Sequence, residues 1–258
     1  MKMLTVVKFG GSLTKNSKAQ SKFLKELAGL ARRQNIILVH GGGPEINLLL
    51  EKFEIKSKFI NGLRFTDSET LTCVETALSG KVNRTLVSGL LKHGAPAVGF
   101  SAKDAKTVIA KQIKSLGFAG APVKVNKKLI ETLIKAGFLP VIASVAASAD
   151  GSPLNVNADT LATAIAVAFK ADKLIFLTDV AGVFDKNKKT IASIKLKDIP
   201  ALIKDETITG GMIPKIKGCA DAVKKGVKEV WIADGAAGIK SVKGTAIRAK
   251  NAAKRLGS

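Results

Sequence analysis

The chain has 258 residues, 46% of them hydrophobic, which suffices to bury a large core in one α/β domain or two lobes and excludes a disordered or fibrous protein. Lys and Arg number 42 against 20 Asp and Glu, a formal net charge of +22 that fits either a solvated lysine-rich surface or a polyanionic partner. The scarcity of Arg and the absence of Tyr disfavour nucleic acid, and Cys73 and Cys219 alone can build neither a disulfide framework nor a cysteine metal site.

In chain order, the predicted elements begin with a strand over residues 4–9 that runs into Gly10-Gly11. The spacing of Phe23, Leu24, Leu27, Leu30 and Ala31 predicts a helix after it. A strand at 35–40 ends in Gly41-Gly42-Gly43-Pro44, and helices follow at 45–52, 68–79 and 81–93, with Asp67 or Ser68 capping the second of these. Then come a strand at 96–100, a helix at 126–136, a strand at 139–145 and a helix at 159–169. Pro122 and Pro140 are expected in loops, and Lys103, Lys106, Lys111 and Lys114 on helix faces. Past a soft boundary near residue 170, strands are predicted at 173–178 and 229–233 and a helix at 214–225. No apolar run approaches membrane-spanning length, and a cytoplasmic protein is expected. Continuously apolar strands imply burial on both faces, hence a mainly parallel α/β sheet between helical layers, two lobes sharing it and ligands at the strands' carboxyl ends.

The glycine clusters stand at those ends. Consecutive glycines between a strand and a helix present bare N–H groups and a helix N-terminus, an arrangement that holds phosphate or carboxylate oxygens. Gly210-Gly211 forms a third cluster, shortly before Lys215. Lys8, two residues before the first glycine pair, is either an edge-strand surface lysine or an ammonium beside that cradle. Lys215 is either a routine first-turn lysine or a second cation for the same anion. Asp159, in Asn155-Val156-Asn157-Ala158-Asp159, is either an N-cap or the carboxylate holding two lysines. Arg64, rare in a Lys-dominated chain, offers a planar fork for a carboxylate or is simply solvated. The P-loop and dinucleotide signatures are missing, and two histidines make a transition-metal site improbable.

Lys8-Phe9-Gly10-Gly11-Ser12, Val39-His40-Gly41-Gly42-Gly43-Pro44, Asn61-Gly62-Leu63-Arg64-Phe65-Thr66, Leu154 to Asp159, Leu177 to Val183 and Gly210 to Lys215 together resemble the acetylglutamate kinase branch of the amino-acid kinase family, from Val7 to about Gly235. That resemblance implies a three-layer αβα sandwich with a mainly parallel central sheet. It also implies ATP-dependent phosphorylation of the γ-carboxylate of N-acetyl-L-glutamate, the second step of the acetylated route to ornithine and arginine. Lys8 and Lys215 would stabilise the phosphoryl group in transit, oriented by Asp159, with Gly10, Gly11, Gly41 and Gly42 as backbone donors. Arg64 and Asn155 would bind the acceptor, with Asn157 nearby. Asp179, Val180, Ala181, Gly182, Val183 and Phe184, and Thr207, Ile208 and Thr209, would contact ATP. Mg²⁺ would be carried mainly by the nucleotide phosphates, since the sequence shows no carboxylate cage. Residues 1–170 would then form the acceptor-binding and dimerisation lobe and 171–258 the ATP lobe of a homodimer.

The sequence departs from the family at Ser101-Ala102-Lys103-Asp104, where relatives often carry a glycine, and in its surplus of lysine. The first strand begins by about Leu4, without the extra helix of arginine-inhibited hexamers, so a dimer without arginine feedback is expected. Two other readings stay open at this point: a kinase for N-acetyl- or carrier-linked 2-aminoadipate, and a non-catalytic polyanion-binding protein.

Overall fold

The computed structural model describes residues 2–10, 17–240 and 242–249. Gly11, expected in the first anion cradle, lies outside the described residues. From the N-terminus, β1 (Leu4–Phe9), α1 (Ser17–Ala31), β2 (Asn35–His40) and α2 (Gly43–Lys52) alternate, followed by a hairpin of β3 (Phe59–Ile60) and β4 (Leu63–Arg64). A continuous helical run comes next: α3 (Ser68–Glu75), a π-helical segment (Thr76–Val82) and α4 (Asn83–Lys92). The chain continues through β5 (Ala97–Ser101), β6 (Val108–Gln112), β7 (Ala119–Val125), α5 (Lys128–Lys135), β8 (Leu139–Ala143), β9 (Val145–Ala147), β10 (Pro153–Val156) and α6 (Ala158–Ala168). It ends with β11 (Lys173–Thr178), β12 (Ser193–Lys195), α7 (Ile199–Lys204), α8 (Met212–Lys224), β13 (Glu229–Asp234) and β14 (Gly244–Arg248).

Eight strands form one sheet in the order β12-β14-β13-β11-β1-β2-β8-β5, parallel except where β13 meets β14. Side chains alternate between the faces of a strand, so each continuously apolar strand feeds two cores. Val6, Ile37, Val39, Leu174 and Phe176 pack on the face covered by α5, α6 and α8, through Ile130, Leu161, Ile165 and Ile216. Their neighbours Val7, Ile36, Leu38 and Ile175 pack on the opposite face against Phe23 and Leu27 of α1 and Leu86 and Leu90 of α4. The result is the expected three-layer αβα sandwich.

That parity also decides where chemistry can occur. Lys8 follows Val6 by two residues and therefore points to the α6 and α8 side, at the carboxyl end of β1. From β1 the sheet continues to β2 on one side and from β11 to β13 on the other, so the strand order reverses between β1 and β11, the crevice where open α/β sheets take ligands. Gly10 makes that crevice possible. A methyl at residue 10 would lie 2.5 Å from the Leu177 carbonyl oxygen, closer than nonbonded atoms approach, so any other residue would force the two strand ends apart.

Several local expectations are corrected. Residues 68–92 are one helical run rather than two helices, because Gly80 falls inside the π-helical segment instead of ending a helix. Residues 104–125 and 146–156, where no strand is predicted, contribute to a small closed barrel of β10, β7, β6 and β9. Polar residues, Gly120 and Pro122 interrupt β6 and β7, and β9 and β10 are only three and four residues long, so none shows the apolar runs of the main sheet. Pro122 belongs to β7, opposite Ala110 beside a bulge that skips Val123, and Pro140 belongs to β8, one residue before its pairing with β2 begins at Leu38 and Val141. A missing N–H is tolerated at both places. Lys111 stands on β6, Lys103 precedes a short 3₁₀ turn holding Lys106, and Lys114 opens another, so none of these four lies on an α-helical face. The Ser101–Asp104 turn is closed by the Asp104 carboxylate, which accepts from Ser101 N–H at 2.9 Å.

Candidate active site

Helix α6 is capped by Asn157, whose side-chain oxygen accepts from the N–H groups of Asp159 (2.9 Å) and Thr160 (3.1 Å). Asp159 is therefore not the cap. Its carboxylate is free to meet Lys8, and the Nζ–Oδ1 distance is 2.8 Å with the two side chains 16% and 37% exposed. The pair lacks hydrogen-bond alignment at that oxygen, so charge rather than direction holds it. Lys215 enters on the same side of the sheet from the first turn of α8 and makes no ion pair among the described residues. Both lysines bear on Asp179, just past β11: a hydrogen bond from Thr178 is the first cause of its lowered pKa, and the charges of Lys215 and Lys8 add to it. Lys215 and Asp159 both act on Cys219, whose thiol burial pushes up to about 12. The two ammonium groups, 207 residues apart in sequence, thus both act on one carboxylate, that of Asp179, just past the carboxyl end of β11.

Beside Lys8 lies a cavity of about 560 Å³ whose walls include Gly41, Gly42, Arg64, Asn155, Asn157 and Asp159. Helix α2 opens on it with Gly42 at its N-cap, Pro44 in its first positions and no side-chain cap, so its first N–H groups are available to an anion. A methyl on Gly42 would meet Leu78 at 2.8 Å and Val82 at 2.9 Å, both from the π-helical segment. Arg64 projects from the β3–β4 hairpin and is held on three sides. It donates to Ser57 Oγ (2.5 Å) and Asn47 Oδ1 (2.6 Å), and its guanidinium carbon lies 4.6 Å from the Phe59 ring centroid. Burial pushes its pKa below the usual arginine value, yet it stays cationic at neutral pH. Asn155 donates to Thr66 Oγ1 at 3.0 Å and Thr66 in turn to the Arg64 carbonyl at 3.1 Å, so strand β10 and the hairpin brace each other. This is a cation-lined, glycine-floored pocket suited to a small carboxylate beside a phosphate chain.

A family model described as the amino acid kinase family matches residues 3–234. The chain belongs to the amino acid kinase family. It is 69% identical over 248 residues to the acetylglutamate kinase of Endomicrobium trichonymphae, covering 96% of this chain and 100% of that one. The acetylglutamate kinase of Clostridioides difficile strain 630 is 45% identical over 236 residues, with 89% and 82% of the two chains covered. Among solved structures, that of smu.665 from Streptococcus mutans UA159 superposes with a TM-score of 0.83 at 34% identity, covering 97% of this chain and 100% of that one.

Other residues of this amino acid kinase that sequence reading singled out lie beyond the cavity wall. Gly10, Lys215 and the segments 179–184 and 207–209 do not line it. Val183 and Ile208 are buried in the core; Val183 N–H donates to Thr245 Oγ1 at 2.8 Å, the Val183 carbonyl accepts from Ile191 N–H at 2.8 Å, and Ile208 N–H donates to the Leu202 carbonyl at 2.8 Å, so these two residues serve packing. Gly182 has φ +137° and sits against Thr245 and Thr190, where a side chain would not fit. Asp179, Ala181, Phe184 and Thr209 are exposed, and Val180 and Thr207 are half-buried. Sequence reading missed Asn47 and Ser57, which brace the site together with Thr66 of the 61–66 motif. Their only signal is Asn47, a lone polar residue in the run Ile46 to Leu50.

His40, at the end of β2, is fully buried, with its Nδ1 2.9 Å from the Gly41 carbonyl and its Nε2 3.0 Å from Asn83 Nδ2. Burial lowers its pKa from 6.5 to about 4, with the Gly41 carbonyl opposing and the Arg84 charge adding to the fall. A base depressed on folding stabilises the fold fully above pH 6.5 and loses that contribution as the pH drops to about 4, in total roughly 3 kcal/mol. The stability difference between the wild type and a His40→Asn variant, measured by denaturant unfolding, should therefore shrink between pH 7 and pH 4.5. A difference that stays constant with pH would contradict a neutral buried imidazole.

Proposed function

We propose that the chain transfers the γ-phosphoryl group of ATP to the γ-carboxylate of N-acetyl-L-glutamate, giving N-acetyl-L-glutamyl 5-phosphate and ADP, in the arginine pathway. The observation that carries this reading is Lys8, clamped 2.8 Å from Asp159 on the wall of a cavity that also holds Arg64 and Gly42. The curated relatives named acetylglutamate kinase, one of them 69% identical over its full length, support the choice of acceptor.

A glutamate-type carboxyl titrates near 4.3, so the acceptor is already ionised at neutral pH and no base is needed. A carboxylate oxygen forms the new bond to phosphorus as the bond to the β-phosphate oxygen breaks, and ADP leaves with the electron pair. The difficulty is to align two mutually repelling anions and offset charge on the transferring oxygens. Arg64, preset by Ser57, Asn47 and Phe59, takes the role of fixing the acceptor, with Asn155 beside it. Lys8 and Lys215 take that of meeting the phosphoryl oxygens from β1 and α8, Asp159 holds Lys8 in place, and Gly10, Gly41 and Gly42 offer N–H groups. Residues 179–184 and 207–209 take the nucleotide, on the 171–258 half of the sheet. No group of three or more His, Cys, Asp or Glu among the described residues could cage a metal, so Mg²⁺ is assigned to the nucleotide phosphates themselves. No helix among the described residues is long and apolar enough to cross a membrane.

Trapping the acyl phosphate as a hydroxamate tests this reading with N-acetylglutamate, N-acetylaspartate and N-acetyl-2-aminoadipate in parallel. Turnover is expected with acetylglutamate and at least tenfold less with the shorter and longer acids, because a misplaced carboxylate loses in-line alignment. No turnover with acetylglutamate would reject the proposal.

A further inference from the structure

We propose that His40 and Asn83 are positioning residues that set the Gly41–Gly42 peptide so that the Gly42 N–H faces the transferring phosphoryl group. The inference rests on the phosphotransfer reading above, but its geometry is independent of the acceptor.

Asn83 opens α4 directly after the π-helical segment and is fully buried. Its Nδ2 lies 3.0 Å from the Val141 carbonyl of β8 as well as 3.0 Å from His40 Nε2, and its Oδ1 accepts from Arg84 at 2.5 Å. The amide orientation is thereby determined: the nitrogen faces the carbonyl and the imidazole, the oxygen faces the guanidinium. An amide N–H can only donate, so His40 Nε2 must accept, and a neutral imidazole that accepts at Nε2 carries its proton at Nδ1. Nδ1–H then donates to the Gly41 carbonyl. The peptide between Gly41 and Gly42 is planar and trans, so its C=O and N–H point opposite ways. With the carbonyl drawn back onto the imidazole in the core, the Gly42 N–H is turned outward, and both glycines line the cavity.

The surroundings are shaped for this arrangement. A methyl on Gly99 would lie 2.0 Å from Asn83 Oδ1, so β5 leaves room for the amide only by having glycine there. Leu78 and Val82 of the π-helical segment press on Gly42 from the other side. The π-helical segment thus carries the two side chains beside Gly42 and leads directly into Asn83, which holds His40, and such turns recur at functional sites.

Selective ¹⁵N labelling of histidine tests the tautomer directly, with His93 as the one other signal. His40 is expected to show a protonated Nδ1 and a pyridine-type Nε2 across pH 6–8; the reverse pattern would overturn the proposal. Kinetics test the consequence. His40→Leu, which leaves Gly41 without its donor, should lower kcat about tenfold or more, while KM for ATP and acetylglutamate stays within about threefold, as for a donor lost from the transition state. His40→Asn, whose amide occupies the Nδ1 edge and can still donate, should recover most of that loss. Equal losses in both variants, an unchanged kcat in folded His40→Leu, or a change confined to KM would each overturn it. Should His40→Leu fail to fold, the nitrogen spectrum of the wild type decides; wild-type protein without turnover would reject the phosphotransfer reading, with the tautomer still decided by the spectrum.

Discussion

Replacing Lys8 or Lys215 by Ala should each lower kcat about a hundredfold or more while leaving the fold intact, as for removal of one preorganised charge from a transition state. The two cations reach the same end of the sheet by unrelated routes. Lys8 does so because strand parity turns it to the α6 and α8 side, and Lys215 because α8 begins there. Lys8 is paired with Asp159, so its loss also leaves that carboxylate without its 2.8 Å partner beside the proposed phosphate position, adding repulsion to the missing attraction. Lys215 has no such partner among the described residues, so its removal tests attraction alone. Steady-state kinetics with saturating ATP and acetylglutamate make the comparison. The double variant should lose less than the product of the single effects, since both serve one transition state. A single variant with wild-type kcat would remove that lysine from the mechanism.

Arg64→Lys should raise the acceptor KM roughly ten- to a hundredfold, the range of one or two charged hydrogen bonds, and leave the KM for ATP within about twofold. The change preserves charge and removes the fork. In the native protein that fork is oriented before substrate arrives, by Ser57, Asn47 and the face of Phe59. A lysine cannot satisfy both oxygens and still present a second N–H edge, so Asn47 and Ser57 also lose their partner. Asn47→Ala, which keeps the fork and loosens it, should give a smaller rise in the same constant. An acceptor KM unmoved in Arg64→Lys would mean that Arg64 serves the hairpin rather than the substrate.

The main sheet was legible because its strands are buried on both faces and so carry long apolar runs, as in Ile36 to Val39 and Leu174 to Leu177. The glycines at the ends of β1 and β2 marked the ligand side for the same reason: backbone that must approach backbone or anion excludes a Cβ, as at Gly10. The barrel strands carried no such signal. β6 reads Val-Ile-Ala-Lys-Gln and β7 contains Gly120 and Pro122, and their pairing depends on contacts with β9 and β10 tens of residues away. The break between the helices predicted at 68–79 and 81–93 is absent for a related reason, since nothing local distinguishes a glycine that ends a helix from one carried, like Gly80, inside a π turn.

Composition and pattern by themselves determined the layering, the ligand-bearing end of the sheet and the residue types offered there, because solvent exclusion and backbone sterics act over a few residues at a time. Which of those residues meet was decided only by the tertiary structure. Asp159 is the partner of Lys8 and not a cap because Asn157 takes the cap; Arg64 is a preset fork because Asn47 and Ser57 come to it from other elements; His40 is neutral because β5, β8 and α4 bury it with Asn83. Each of these outcomes depends on distances between groups far apart in the chain, and such distances exist only once the packed layers bring the strand ends together.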